Sequence, residues 1–526
     1  MSSAPDASDL SSPAASRTPG TMARRVPWRL RALRWHRQLA LLGATALVLW
    51  GLSGLLHPLM TTFGPQQRVF YPPQAPLTVA GGPEIHAILE AAGITQARAV
   101  RLVAGPAGAL LQVTTTAHAP RRYFALDTGA EQAGHDPRQA EFLARHYLAL
   151  PEDAVAVETV TAIHEFSASY PPINRLLPVY RVSFATPDAL IAYVHTETGA
   201  LAAVDNRFKQ RVQTLFQLVH TWSWIPPAAE WLRVAGIAVL LLAMLGMALS
   251  GTLMLWKMRR ISHATGARRW HRSAAWILVL PALGFGLSGL YHLVQATTAP
   301  VPAGQRLSPP LATDDIAYPL RAQWTDLTRG LDIRGLSLVQ DAARRLYYRL
   351  ELAPDSAEPR DTDAIRNARF DGVPRTGPAL YVDAASGVPW PAGDREFALQ
   401  LGERFSGLPR DAVTDMAFVT RFGPAYDFRN KRLPVWRIDY GAPLETSLFV
   451  DTRSGVLADV LAHRDLPERY SFSFLHKWNF LFPLGRPLQN GAVSVAVIAL
   501  VACLAGLGLR LYPAARRARR RRNNAH

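Results

Sequence analysis

Six of the fifteen histidines in this chain form three matched pairs: His36 with His271, His57 with His292, and His220 with His476. The matches extend to their neighbours. Trp35-His36-Arg37 recurs as Trp270-His271-Arg272, Gly51-Leu52-Ser53-Gly54 recurs as Gly286-Leu287-Ser288-Gly289, and His220-Thr221-Trp222 is echoed by His476-Lys477-Trp478. Neutral imidazole is a strong ligand for transition metals, and histidine is uncommon in apolar segments unless it works there. Six histidines at matched positions fit axial ligation of haem iron. Zinc or copper binding, a proton relay and interfacial hydrogen bonding are the other chemistries open to them. No His-x-His or His-x₃-His spacing occurs at these positions. The single cysteine, Cys503, excludes a disulfide framework and any Cys-rich zinc or iron–sulfur site, and without Cys-x-x-Cys-His there is no covalent haem attachment. His86, His118, His135, His146, His164, His195, His263 and His463 lack a matching histidine and read as surface or loop residues.

What positions the six is a set of four apolar runs, roughly Leu39–Met60, Val234–Trp256, Ala274–Val294 and Ala492–Leu511. Each has about 20 residues, enough to cross about 30 Å of hydrocarbon. Each abuts one of three basic windows, 24–37, 257–272 and 510–522, which hold nineteen Lys and Arg and no acid. Against a formal net charge of +17 the rest of the chain is therefore nearly neutral. This explains the basic balance without nucleic acid. The positive-inside rule puts these windows in the cytoplasm, where they also suit contact with anionic membrane lipid.

The expected order is a disordered cytoplasmic leader at 1–22 and a first span at 38–60. A periplasmic domain at 61–230, a second span at 232–256 and a cytoplasmic loop at 257–272 follow. A third span at 273–294, a second periplasmic domain at 295–488, a fourth span at 490–511 and a basic cytoplasmic tail at 512–526 complete it. His36 and His271 then lie at the inner face, and the other four at the outer face.

The pairs above His220 share an offset of 235. Further along the offset is 256: Leu177-Pro178-Val179-Tyr180 matches Leu433-Pro434-Val435-Trp436, and Thr196-Glu197-Thr198-Gly199 matches Thr452-Arg453-Ser454-Gly455. An insertion in the second copy, with Asp355–Pro378 as the candidate, accounts for the step. Two copies in the same direction imply a tandem parallel repeat, a pseudo-twofold axis along the membrane normal and a four-helix transmembrane bundle. The external domains read as α+β, with a helix at Ala140–Ala149. Strands are expected at Pro178–Phe184, Ala189–His195, Pro434–Tyr440 and Thr446–Val450.

The Trp-His-Arg…Gly-Leu-Ser-Gly-x-x-His helices, the hairpins at 195–199 and 451–455, and the segments at His476 and His220 resemble the PepSY-associated transmembrane family over roughly residues 30–512. Members of this kind include di-haem siderophore-iron reductases of the bacterial inner membrane. The resemblance implies PepSY-like periplasmic domains and b-type haem, two per chain. It also implies an oxidoreductase that moves electrons across the membrane to a ferric siderophore or another periplasmic ferric complex during iron uptake. Without a flavin or nicotinamide motif, electrons must come from a cytoplasmic partner or a quinol. His36 with His271 is the expected inner ligand pair. Outside, His57 with His292 is the first choice, and His220 and His476 are alternative or partner ligands. The rival reading is a PepSY-domain membrane protein that regulates a periplasmic peptidase or senses a periplasmic ligand. A solute transporter is disfavoured by the lack of intramembrane carboxylates.

Overall fold

The computed structural model describes residues 28–73, 81–257, 266–298, 307–329, 331–353, 372–373 and 379–511. The expected leader, the tail beyond Leu511, and most of the inner loop and of the Asp355–Pro378 stretch lie outside them. Among the described residues, four helical segments are long and apolar enough to cross a membrane: Leu30–Phe63, Pro227–Lys257, Ala267–Thr298 and Arg486–Leu511. The first is built from α1 (Trp28–Gly54) and α2 (Leu56–Phe63), and the second is largely α6 (Glu230–Lys257). The third is α7 (Ala267–Thr298), and the fourth begins as α11 (Arg486–Ala499) and continues through a π-helical stretch at Leu500–Gly506. α1 and α7 begin well before the apolar runs, because the arginine-rich stretches ahead of those runs are themselves good helix formers. His36 therefore sits about two turns inside its helix and His271 about one. Ala44, Leu47, Ile237, Leu241, Met244, Ala282 and Leu500 form the apolar centre of the four.

Between the spans, α3 (Ile85–Ala91) precedes β1 (Gln96–Ala97), β2 (Ala99–Gly105), β3 (Gly108–Thr114) and β4 (Arg122–Ala125). Then come α4 (Asp136–Leu148), β5 (Val157–Ile163), β6 (Val179–Phe184), β7 (Ile191–His195), β8 (Ala200–Asp205) and α5 (Arg207–Val219). After the third span the order is β9 (Leu311–Ala312), α8 (Trp324–Thr328), β10 (Ile333–Gln340), β11 (Leu346–Leu352) and β12 (Leu380–Asp383). It continues with α9 (Gly393–Ser406), β13 (Val413–Val419), β14 (Val435–Tyr440), β15 (Thr446–Asp451), β16 (Val456–Ala462) and α10 (Leu466–Ser471).

β5–β8 and β13–β16 are four-stranded antiparallel sheets with strands in sequence order. Their inner strands are apolar on both faces, because each sheet is covered on both. α4 brings Leu143, Ala144 and Tyr147 onto Val182 and Val194, while Tyr170, Val179 and Tyr193 close the other face. α9 brings Phe397 and Leu401 onto Ile438 and Val450. Each such fully buried side chain contributes about 1.5–3 kcal/mol. The two sheets also share backbone details at one spacing. Arg175 and Lys431, Trp222 and Trp478, and Gly199 and Gly455 all have positive φ.

The third large sheet has the order β12-β11-β10-β2-β3-β4. β2 and β10 meet at its centre, with Leu102 opposite Leu336 and Arg101 opposite Ser337. The segments outside the spans are therefore joined by backbone hydrogen bonds across the middle of the chain. Seven residues connect β3 to β4, and twenty-seven connect β11 to β12. The extra length falls where the polar stretch from Asp355 was expected to be inserted.

Candidate functional site

His36 and His271 face one another from α1 and α7, with ring centroids 6.5 Å apart and planes at 64°. His36 Nδ1 donates to the Met247 carbonyl at 2.9 Å, and His271 Nδ1 to the Cys503 carbonyl at 3.1 Å. A carbonyl only accepts, so each Nδ1 carries the proton and each Nε2 keeps its lone pair. Beside the rings stand glycines. A Cβ on Gly251 would lie 3.2 Å from the His36 imidazole, and one on Gly508 would lie 3.4 Å from that of His271. The absence of a side chain at these two positions lets the helices approach the rings closely.

The same logic recurs at the other end of the bundle. His220 caps α5, a helix whose own N-terminus is capped by Asn206 accepting from the Lys209 amide. His476 ends the π-helical turn Phe472–His476 that follows α10. His220 Nδ1 lies 2.9 Å from Ser53 Oγ, and His476 Nδ1 lies 3.2 Å from Ser288 Oγ. Each hydroxyl spends its single proton on its own helix: Ser53 on the Leu49 carbonyl at 2.7 Å, Ser288 on the Gly284 carbonyl at 2.6 Å. The serines must therefore accept from the imidazoles, which again leaves both Nε2 atoms unprotonated. Phe216 stacks on His220 at 4.5 Å and Phe472 on His476 at 4.6 Å.

Two residues on, Trp222 and Trp478 adopt the left-handed conformation, which is costly for a bulky residue. The cost is met by packing. Trp222 stacks on Trp50 at 6.0 Å, and Trp478 on Phe285 at 5.8 Å. These turns double the chain back and aim the histidines at the helices. Burial holds His220 down to about 4 and His476 down to about 3, so both are neutral at physiological pH.

His57 and His292 do not share surroundings. His57 is exposed on α2, and its carbonyl accepts from Thr61 Oγ1 at 3.2 Å. His292 Nδ1 lies 2.6 Å from Glu468 Oε1, and its half-exposed ring stacks on Phe472 at 4.2 Å. The two positions matched in sequence are thus met by different chemistry.

His195 and His135, read from sequence as surface or loop residues, are buried, at 4% and 6% exposed. His195 ends β7, and its Nδ1 lies 2.8 Å from Thr198 Oγ1. Sequence reading also passed over Asp394. Its carboxylate accepts from Tyr381 (2.7 Å), Arg349 (2.9 Å), Trp436 (2.8 Å) and Thr452 (3.1 Å). Its counterpart, Asp136, accepts from the Tyr123 hydroxyl at 2.7 Å and the Arg121 amide at 2.9 Å. The only available signal was an acid in the first turn of each helix. Both networks lie outside the spans and brace the segments between them.

Among the described residues no group of three or more His, Cys, Asp or Glu side chains is arranged to hold a metal ion. What His36 and His271 offer is a two-ligand set. A structural or catalytic zinc takes three or four protein ligands, so this set suits a metal whose remaining positions are filled by something other than the protein. Comparison with protein-family models and with curated proteins returns no match to this chain.

Proposed function

We propose that the chain is a haem-binding, electron-conducting protein of a bacterial inner membrane, and that it reduces a ferric complex on the periplasmic side. The observation that carries this is the His36–His271 pair, two neighbouring imidazoles with both Nδ1 protons fixed on backbone carbonyls. His36 and His271 would be the protein ligands of the haem iron, and the 6.5 Å between their ring centroids leaves room for a metal ion. Two is also the number of protein ligands a six-coordinate haem iron takes. Bound to such a pair, haem supplies one-electron chemistry.

The chain's own residues do the rest. Backbone carbonyls inside, and serine hydroxyls outside, fix the tautomer and orientation of each ligand and raise its basicity. His220 and His476 are the outer pair we favour over His57 and His292, because only they are held by matched partners. We read the matched sheets, turns and ligands as a tandem duplication with PepSY-like outer domains. The basic windows orient the bundle with both termini in the cytoplasm. Ferric iron in hard oxygen ligands, as in a siderophore, loses most of its affinity for them on one-electron reduction. Delivering one electron at the outer face is therefore sufficient to release it.

The test is spectroscopic. The purified protein should be red, carry two haems by pyridine haemochrome analysis, and shift its Soret band with dithionite. His36→Ala and His271→Ala should each remove one haem, and His220→Ala and His476→Ala the other. Reduction of a ferric hydroxamate, followed by trapping the ferrous ion with a chelator, should require both. A folded, colourless protein would end this reading.

A further inference from the structure

An apolar groove of about 450 Å³ opens between α1 and α6 at the end of the bundle that holds His36. Trp28, Arg31, Trp35 and Leu39 line it from α1, and Ser250 and Leu253 from α6. Its size falls in the ordinary range of small-molecule sites, about 300–1,000 Å³. Five of these six residues are in membrane-crossing segments, and Trp35 is 60% exposed. The groove is therefore open on its α1 side, next to the apolar run that begins at Leu39.

One lining residue connects the groove to the candidate site. Ser250 Oγ lies 3.3 Å from His36 Nδ1 and bonds the Gly246 and Met247 carbonyls at 2.8 and 3.0 Å. Met247 supplies the carbonyl that fixes His36. The corresponding place beside His271 is not built the same way. At the offsets of 235 and 256, Arg31 becomes Gly266 and Ser250 becomes Gly506. A plain packing defect between apolar helices would have no reason to carry a hydroxyl and a guanidinium on one side of the molecule only.

We infer that this groove binds a membrane quinol, the electron donor to the inner histidine pair; the inference rests on the haem reading above. The chemistry matches a quinol part by part. Two indoles give flat walls for a ring, and the open side admits a prenyl tail from the bilayer. The Ser250 hydroxyl is a hydrogen-bond partner for a ring oxygen, and Arg31 lies toward the cytoplasmic mouth. One quinol gives two electrons and two protons and becomes the quinone. The electrons leave one at a time and reduce two ferric ions. The protons pass to water at the cytoplasmic mouth.

The experiment is a calorimetric titration of the full-length, detergent-purified protein with decylubiquinone, with haem content measured by absorbance in the same samples. Wild type should bind one equivalent. Ser250→Ala should weaken binding about tenfold, the loss of one good hydrogen bond. Leu253→Trp should fill the groove and abolish binding. Leu509→Trp, its counterpart 256 residues on, should leave affinity unchanged. Haem content should stay at the wild-type level in all three. Haem-loaded wild type without saturable binding, binding indifferent to Ser250 and Leu253, or a stoichiometric phospholipid in place of quinone would each overturn the quinol site. Haem-free protein that still binds decylubiquinone in a Ser250-dependent way would instead sink the haem reading.

Discussion

The candidate ligands are distinguished by what holds their Nδ1 atoms. His36 and His271 rely on backbone carbonyls, so no side-chain substitution removes the bond; His220 and His476 rely on Ser53 and Ser288. This difference is testable. Ser53→Ala and Ser288→Ala should keep the outer haem bound but weaken its retention about 10–100-fold, as is usual for partners one shell out. Haem loss to apomyoglobin measures this, and the inner haem should exchange at the wild-type rate. Equal exchange at both sites in the serine variants would show that the hydroxyls do not orient the ligands. The sequence revealed which residue types recur, because duplicated histidines stand out. It gave no hint of which pairs share surroundings. The partners of His36 and His271 are main-chain oxygens of Met247 and Cys503, and no side chain encodes those.

Helices and strands were largely legible, because their periods are written in the apolar residues. The helix expected at Ala140–Ala149 is Asp136–Leu148, and the strand expected at Pro434–Tyr440 is Val435–Tyr440. The pins between elements were not legible. Asp394 ties α9, β12 and β14 together, and a single acid leaves no periodic trace. Burial raises the pKa of this carboxyl, but Arg349 and its hydrogen bonds outweigh burial and hold it below the usual range. Removing one partner of a buried pair strands the other. Asp394→Ala should therefore cost about 3–5 kcal/mol and lower the unfolding midpoint of the outer region. Chemical denaturation followed by tryptophan fluorescence checks this, and a loss under 1 kcal/mol would show that the pin is dispensable. A milder loss of about 2–5 kcal/mol is expected for Leu401→Ala, whose side chain is fully buried.

At the scale of the whole molecule, acid should loosen the outer region. Burial first, and then Arg121, hold His195 down to about 3, against an ordinary value of 6.5. The folded protein binds this proton more weakly than the unfolded chain does. The resulting stability is fully present above about pH 6.5 and is lost as pH falls toward 3, by about 1.4 kcal/mol per pH unit for this one site. The unfolding midpoint should drop between pH 7 and pH 5, and His195→Gln should flatten that drop. An unchanged slope in the variant would assign the acid sensitivity elsewhere.

The six-stranded sheet bears on how such a chain came to exist. Its order is palindromic with respect to the two halves: three strands from one, then the same three from the other in reverse. At its centre Arg101 faces Ser337 and Leu102 faces Leu336. At an offset of 235 residues, Arg101 corresponds to Leu336 and Leu102 to Ser337. Each position therefore pairs with the counterpart of its neighbour, which is the signature of a self-complementary twofold contact. On the duplication proposed above, a half-length unit would present β2 as an open edge, and a second copy of itself would be the partner shaped to close it. One polypeptide would then hold such a dimer together and leave its two sides free to differ, as they do at Ser250 and Arg31, whose matched positions are glycine.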